Sequence, residues 1–279
     1  MKIKYTKYHA LGNDFLVIES RNKKVSRPKL SRLTKTICER RTGVGADGVV
    51  HLRPSSRADR KIDIINSDGG WAEKSGNGLR IAGLHLASGT KRKEFVFETV
   101  TSLDKVTLGQ QIKNGRMVKA VIGQPDFLTS RVPVKTRQKY LINSPIKFGT
   151  VRLPVTCLAV GNPHTVLLVE DFEFDWPGIG SELETAAAFP NGTNVEFVQL
   201  VNRKKIRVKE WERGAGATGS SGTGAAAAVC AMVMLGLTDR RCEVVFDTGA
   251  LSVDWSEATE LIELNGPVVK VTEGVFDLS

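Results

Sequence analysis

Ser75–Gly89 reads SGNGLRIAGLHLASG, and Ser221–Gly236 reads SGTGAAAAVCAMVMLG. The two serines lie 146 positions apart in a chain of 279 residues, about half its length. Each S-G-x-G is followed by a run of small and apolar residues, which predicts a buried helix. Each run ends at a glycine, Gly89 or Gly236, as suits a helix C-terminus. A similar strand pattern follows each helix: Phe95–Thr99 (FVFET) and Val244–Thr248 (VVFDT). A repeat at half-chain spacing predicts two structurally equivalent domains facing each other.

Outward from these runs the chain reads mainly as strands. Phe15–Glu19, Lys61–Asn66, Met117–Ile122, Leu158–Val160, Thr165–Val169, Val195–Leu200 and Lys205–Glu210 are rich in Val, Ile and Phe with partial alternation. A helix is predicted over Pro28–Glu39, with Ser26 or Arg27 as its cap and Pro28 in its first turn. A break between the halves is predicted near Gly123-Gln124-Pro125. The class is α+β: two mostly β units, each holding one apolar helix that begins at S-G-x-G.

Composition sets the outer limits. Apolar residues are 41% and charged residues 25%, ordinary values for a globular chain. The four cysteines, Cys38, Cys157, Cys230 and Cys242, form no C-x-x-C pair, which argues against a zinc knuckle or a disulfide scaffold. MKIKYTKYHA has no long apolar stretch, and the longest apolar run, Ala225–Leu237, is too short to span a bilayer. A soluble, cytoplasmic protein without membrane attachment is the expectation. Lys and Arg total 40 against 30 Asp and Glu, a net charge of +10. The densest basic stretch runs from Arg21 to Arg41 and includes Lys23 and Lys24. It lacks interleaved aromatic residues and any RNA-binding signature, so a field that draws in anionic small molecules is preferred to nucleic-acid binding.

A helix N-terminus leaves backbone N–H groups unpaired and carries partial positive charge. Glycines let a ligand approach that backbone. Two such termini are two anion seats, each with one hydroxyl. Read singly, Ser75 and Ser221 are N-caps; the duplication favours a shared ligand. Asn13 (HALGNDF), Asn66 (NSDGG), Asn162 and His164 (GNPH), Asn194 (GTNV), and Glu212 and Arg213 (WERGAG) each have a bland reading as turn or surface residues. Together they supply amides, an acid–base pair and a guanidinium able to clamp a carboxylate, an inventory that fits a zwitterionic ligand.

HALGNDF, RRTGVGADG, NSDGGWAEKSGNG, VGNPH, NGTNV and WERGAGATGSSGTGAA resemble the diaminopimelate epimerase family, in the family's order and over nearly the whole chain. The resemblance implies two pseudo-symmetric lobes, each a β-barrel-like sheet around a central helix, with the site between them. The N-terminal lobe is then 1–123 with the terminal strand 268–279 returning to it, and the C-terminal lobe 124–267. It implies no cofactor, a homodimer, and inversion of one α-carbon of LL-diaminopimelate to the meso form for lysine and cell-wall synthesis. Two cysteines on opposite faces of that carbon move the proton in the family; here Ser75 and Ser221 stand in those positions. Carried over by motif, Gly76, Asn77, Gly222 and Thr223 would hold the reacting α-carboxylate. Asn13, Asn66, Asn162, Asn194 and Arg213 would hold the distal head, and Glu212 and His164 would tune the acid–base pair. The chain also has Ala217 where the family usually shows Glu, and Gly48 where some members carry Gln.

The serines set the chemical problem. A cysteine, with an unperturbed pKa of about 8.5, is brought into range by a helix N-terminus. A serine hydroxyl needs an adjacent general base, and helix-dipole help of about 0.3–1 kcal/mol does not make it a strong one. Three readings follow: exchanged residues that trap a complex, a natural Ser/Ser isomerase with slow or altered chemistry, or a catalytically silent amino-acid-binding homologue.

Overall fold

Among residues 2–21, 26–100, 102–149 and 151–278, which the computed structural model describes, the elements follow one another with short turns. They are β1 (Lys2–Ala10), β2 (Asn13–Glu19), α1 (Arg27–Cys38), β3 (Gly48–Arg53), β4 (Arg60–Asn66), β5 (Trp71–Ala72), α2 (Gly76–Leu86), β6 (Glu94–Glu98), β7 (Leu103–Ile112) and β8 (Gly115–Val121). There follow β9 (Ser144–Phe148), β10 (Val151–Ala159), β11 (Pro163–Val169), α3 (Trp176–Glu184), β12 (Asn194–Asn202), β13 (Lys205–Glu212), β14 (Gly216–Ala217), α4 (Gly222–Met234), β15 (Arg241–Phe246), β16 (Gly249–Trp255) and β17 (Ile262–Asp277). Lys23 and Lys24 of the basic stretch lie outside the described residues.

By contacts the chain divides into two units: Met1–Val121 with Asn265–Ser279, and Ile122–Leu264. In the first, β2–β3 and β4–β6 are parallel pairs. A parallel pair needs a crossover, and the two crossovers carry α1 and α2. The antiparallel pairs β1–β2, β3–β4, β6–β7, β7–β8 and β1–β17 join them, and β8 pairs with β17. Following the pairings from β1 through β2, β3, β4, β6, β7, β8 and β17 returns to β1, a closed ring of eight strands. Helix α2 touches β1, β2, β3, β6, β7 and β8, so it fills the ring. Helix α1 packs outside, burying Leu30, Thr34, Ile37 and Cys38 from one face against β3 and β4.

The second unit repeats this sequence of directions. β10–β11 is antiparallel, β11–β12 parallel across α3, β12–β13 antiparallel, β13–β15 parallel across α4, and β15–β16 antiparallel. Helix α4 touches β10, β11, β12, β13, β15 and β16 and is buried from Gly222 to Met232. A helix apolar on all sides has no solvent face to keep, and its run of alanines lets the strands close around it. The two units are thus pseudo-symmetric, each a barrel-like sheet around a central helix, as the α+β reading expected.

The expected strands at Phe15–Glu19, Lys61–Asn66, Thr165–Val169, Val195–Leu200 and Lys205–Glu210 lie within β2, β4, β11, β12 and β13. Met117–Ile122 falls in β8, which stops at Val121, and Leu158–Val160 overlaps the tail of the longer β10. Gly89 and Gly236 both adopt positive φ, +75° and +71°, just past α2 and α4. Ser26 is the N-cap of α1 but its side chain makes no cap hydrogen bond. Helix α3 was not foreseen.

Candidate active site

Each unit presents one helix head. In the first, Ser75 is extended (φ −143°, ψ 119°) and its Oγ accepts from the Gly78 N–H at 3.0 Å, the N-cap geometry. The hydroxyl proton is not spent on this bond. A Cβ added at Gly78 would lie 2.7 Å from Ile64 Cδ1, so the second glycine of the motif admits β4 against the helix head.

A relay of amides runs behind this head. Asn13 Nδ2 donates to Asp47 Oδ2 at 2.9 Å, Asn77 Nδ2 donates to Asn13 Oδ1 at 3.0 Å, and Arg80 Nη2 donates to Asn77 Oδ1. An acceptor at one end and a donor at the other fix which way both amides face. Arg40 braces the acidic end, reaching Asp14 at 2.9 Å and Asp47 at 2.7 Å. Burial raises Asp47, while burial at Asp14 is outweighed by its bonds to Arg40 and Lys7, which lower it. Arg80 is fully buried and burial pulls it down to about 10. Beside the cap, Lys74 Nζ forms a buried pair with Asp104 Oδ1 at 2.6 Å. Asn66 closes the NSDGG turn through its backbone, accepting from Gly69 N–H at 2.8 Å.

In the second unit Ser221 (φ −120°, ψ 133°) caps α4 the same way, accepting from Gly224 N–H at 3.1 Å, and its Oγ lies 3.3 Å from Thr223 Oγ1. The surroundings differ in kind. His164 Nδ1 is 2.6 Å from Glu196 Oε1 and its Nε2 is 2.9 Å from Asn162 Oδ1. Thr218 Oγ1 lies 2.6 Å from Glu212 Oε1 and 3.1 Å from Glu210 Oε1. A Cβ on Gly224 would meet Glu210 Oε2 at 2.7 Å, Glu196 Oε1 at 3.0 Å and Ser221 Cβ at 3.2 Å. Burial pushes Glu196 up, and burial with the charges of Glu212 and Glu196 pushes Glu210 well up. Asn194 ties two segments together, donating to Pro163 O at 2.7 Å and accepting from Arg213 N–H at 2.9 Å. Glu184, at the end of α3, accepts from Trp211 Nε1 at 2.6 Å and Gly214 N–H at 2.9 Å, which anchors the WERGAG turn.

The residues singled out in sequence divide between the units: Asn13, Asn66, Ser75, Gly76 and Asn77 fall in the first, and Asn162, His164, Asn194, Glu212, Arg213, Ser221, Gly222 and Thr223 in the second. The four cysteines join neither set as reactive groups. All are free and buried, and burial pushes Cys38 and Cys157 up to about 12, Cys242 to about 11, and Cys230 further. Among the described residues no group of three or more His, Cys, Asp or Glu is arranged to hold a metal ion, and no helix is long and apolar enough to cross a membrane.

The model of the diaminopimelate epimerase family matches residues 5–128 and 156–271, which span both helix heads. The chain belongs to the diaminopimelate epimerase family. Curated relatives named diaminopimelate epimerase include those of Acetivibrio thermocellus, 34% identical over 99% of both chains, and Gloeothece citriformis, 37% identical over the full length of both. By this membership the chain is an isomerase. Among solved structures, a probable proline racemase from Agrobacterium radiobacter superposes with a TM-score of 0.76 at 17% identity, covering 99% of this chain and 93% of that one. A hydroxyproline epimerase from Agrobacterium vitis gives 0.71 at 15% identity, covering 99% and 91%. At such identities these two show the fold alone.

Within the family frame, sequence reading missed Glu196, Glu210, Asp47, Arg80 and Glu184. One signal was present. In KIRVKEWE the period-2 face that buries Ile206 and Val208 continues to Glu210, a carboxyl in an apolar register.

Proposed function

We propose that the chain is a cofactor-independent amino-acid epimerase or racemase acting on diaminopimelate. Ser75 and Ser221 stand in place of the family's two catalytic cysteines on opposite faces of one α-carbon. The observation that carries this reading is the pair of equivalent helix heads, each with a capping hydroxyl whose proton is not used in its cap bond. Backbone N–H groups at Gly76, Asn77, Gly222 and Thr223 would receive the α-carboxylate, since helix N-termini favour anions. Asn13, Asn66, Asn162, Asn194 and Arg213 would hold the distal head. Glu212 and His164 would supply the proton acceptor that a serine needs. The reading includes no cofactor, a homodimer and a role in lysine biosynthesis.

A second reading is an amino-acid-binding protein without turnover, favoured by the absence of a thiol at either head. One experiment separates the two. Ser75→Cys combined with Ser221→Cys is expected to speed conversion of LL-diaminopimelate, because a thiol at a helix head is far more readily ionised than a hydroxyl. A slow wild type and a faster cysteine pair support the isomerase. Turnover only in the cysteine pair supports the binding protein. No turnover in either contradicts the substrate assignment.

A further inference from the structure

The register of the two barrels permits a comparison position by position. β3 pairs with β4 so that Val50 faces Ile64, and β12 pairs with β13 so that Glu196 faces Glu210. The positions correspond. Ile64 is the residue that packs on Gly78, and Glu210 the one that packs on Gly224, the same glycine of the twin motif. Both pairs are buried to 4% exposure or less. At these positions one unit carries two buried aliphatic side chains, with Ile64 against the helix head, and the other carries two buried carboxyls, both against it. Packing alone does not require the acids, and like charges directly opposite each other on a sheet are destabilising.

The single hydroxyl proton of Thr218 bears on how the two carboxyls share charge. Its hydroxyl has one proton and lies between Glu212 Oε1 at 2.6 Å and Glu210 Oε1 at 3.1 Å. It donates fully to one carboxyl only, and a full bond to the other requires that carboxyl to carry the proton. The shorter contact, to the less buried Glu212, marks the acceptor.

We propose that Glu210 is a neutral carboxylic acid that donates to Thr218, which donates to Glu212, so that Glu210 is a positioning residue holding Glu212 as an oriented, proton-accepting carboxylate. Two carboxyls two residues apart are thereby driven to opposite protonation states, one neutral and one ionised. The groups facing Glu210 are Glu196 from β12, with His164 of β11 behind it, Glu212 from its own strand and Thr218 beside β14. Helix α4 brings no charged side chain to it. Burial and the charges of Glu212 and Glu196 raise Glu210 and outweigh the opposing effect of a bond donated by Thr218. The catalytic consequence rests on the isomerase reading above.

The test is infrared difference spectroscopy of the wild-type protein in deuterated buffer at neutral pH. The expected result is a protonated-carboxyl band that disappears in Glu210→Gln and persists in Glu212→Gln. Absence of the band, or its survival in Glu210→Gln, overturns the proposal. A melt series guards against misfolding. The raised value means that stability is present below the ordinary glutamate value and is lost as pH rises through the folded one, so Glu210→Gln should flatten that alkaline loss. In α-proton exchange, Glu210→Ile is expected to lower kcat by about 100-fold with KM little changed, the low end of what a positioned acid–base group contributes. Glu210→Gln, whose amide still donates to Thr218, should restore it; equal loss in both variants contradicts the positioning role. If the wild type exchanges no amino acid, the isomerase reading fails while the infrared result still decides the state of Glu210.

Discussion

Asp63 on β4 shows how a single buried carboxyl is decided. Burial alone would make it harder to ionise. The bonds from His51 Nδ1 at 3.2 Å and Arg53 Nε at 2.7 Å outweigh that and lower it to about 2. Its stabilisation is therefore present above the unfolded value of 3.8 and is lost as pH falls through about 2. Asp63→Asn is expected to cost about 2 kcal/mol at neutral pH, with the deficit closing toward pH 2 in a series of denaturant melts. A deficit independent of pH would contradict the ion-pair account. At this scale the sequence reveals what local geometry controls. Ser75 and Ser221 are legible as caps because the bond closes within three residues. The Asn13–Asn77 bond joins residues 64 positions apart, and no local pattern announces it. Glu210 shows only as an acid in an apolar register.

Between elements, close approach is governed by the glycines of the repeated motif. A methyl on Gly78 would enter the space of Ile64 Cδ1, within the first turn of α2. Gly78→Ala should destabilise the protein by about 1–3 kcal/mol through overpacking, read as a lower urea midpoint at unchanged m. An unchanged midpoint would mean that β4 yields freely there. The central helices were legible because small and apolar residues dominate each run after its S-G-x-G, although Arg80 lies buried within α2. Helix α3 was not: WPGIGSELE is short and carries a proline and two glycines, a composition that reads as a turn. The 16-residue β17 is likewise masked by Gly266-Pro267 near its start. Its pairing with β1 spans almost the entire sequence, and only the register reveals it.

For the molecule as a whole, duplication is the organising fact. Two barrel-like units with one sequence of strand directions carry the same capped serine, yet one head packs on Ile64 and the other on Glu196 and Glu210. The equivalence was legible from the repeated S-G-x-G; the asymmetry was not, because it depends on which strand residues meet behind each helix. In the proposed two-base reaction one head gives a proton while the other takes it, and the roles exchange when the reaction reverses. The most direct measurement is NMR of LL-diaminopimelate incubated in deuterated water with wild-type protein at high concentration. The account expects loss of the α-proton signal, with deuterium carried into the meso product and formation of that product abolished by either Ser75→Ala or Ser221→Ala. An α-proton signal that persists unchanged, or meso product that still forms in either variant, would contradict it.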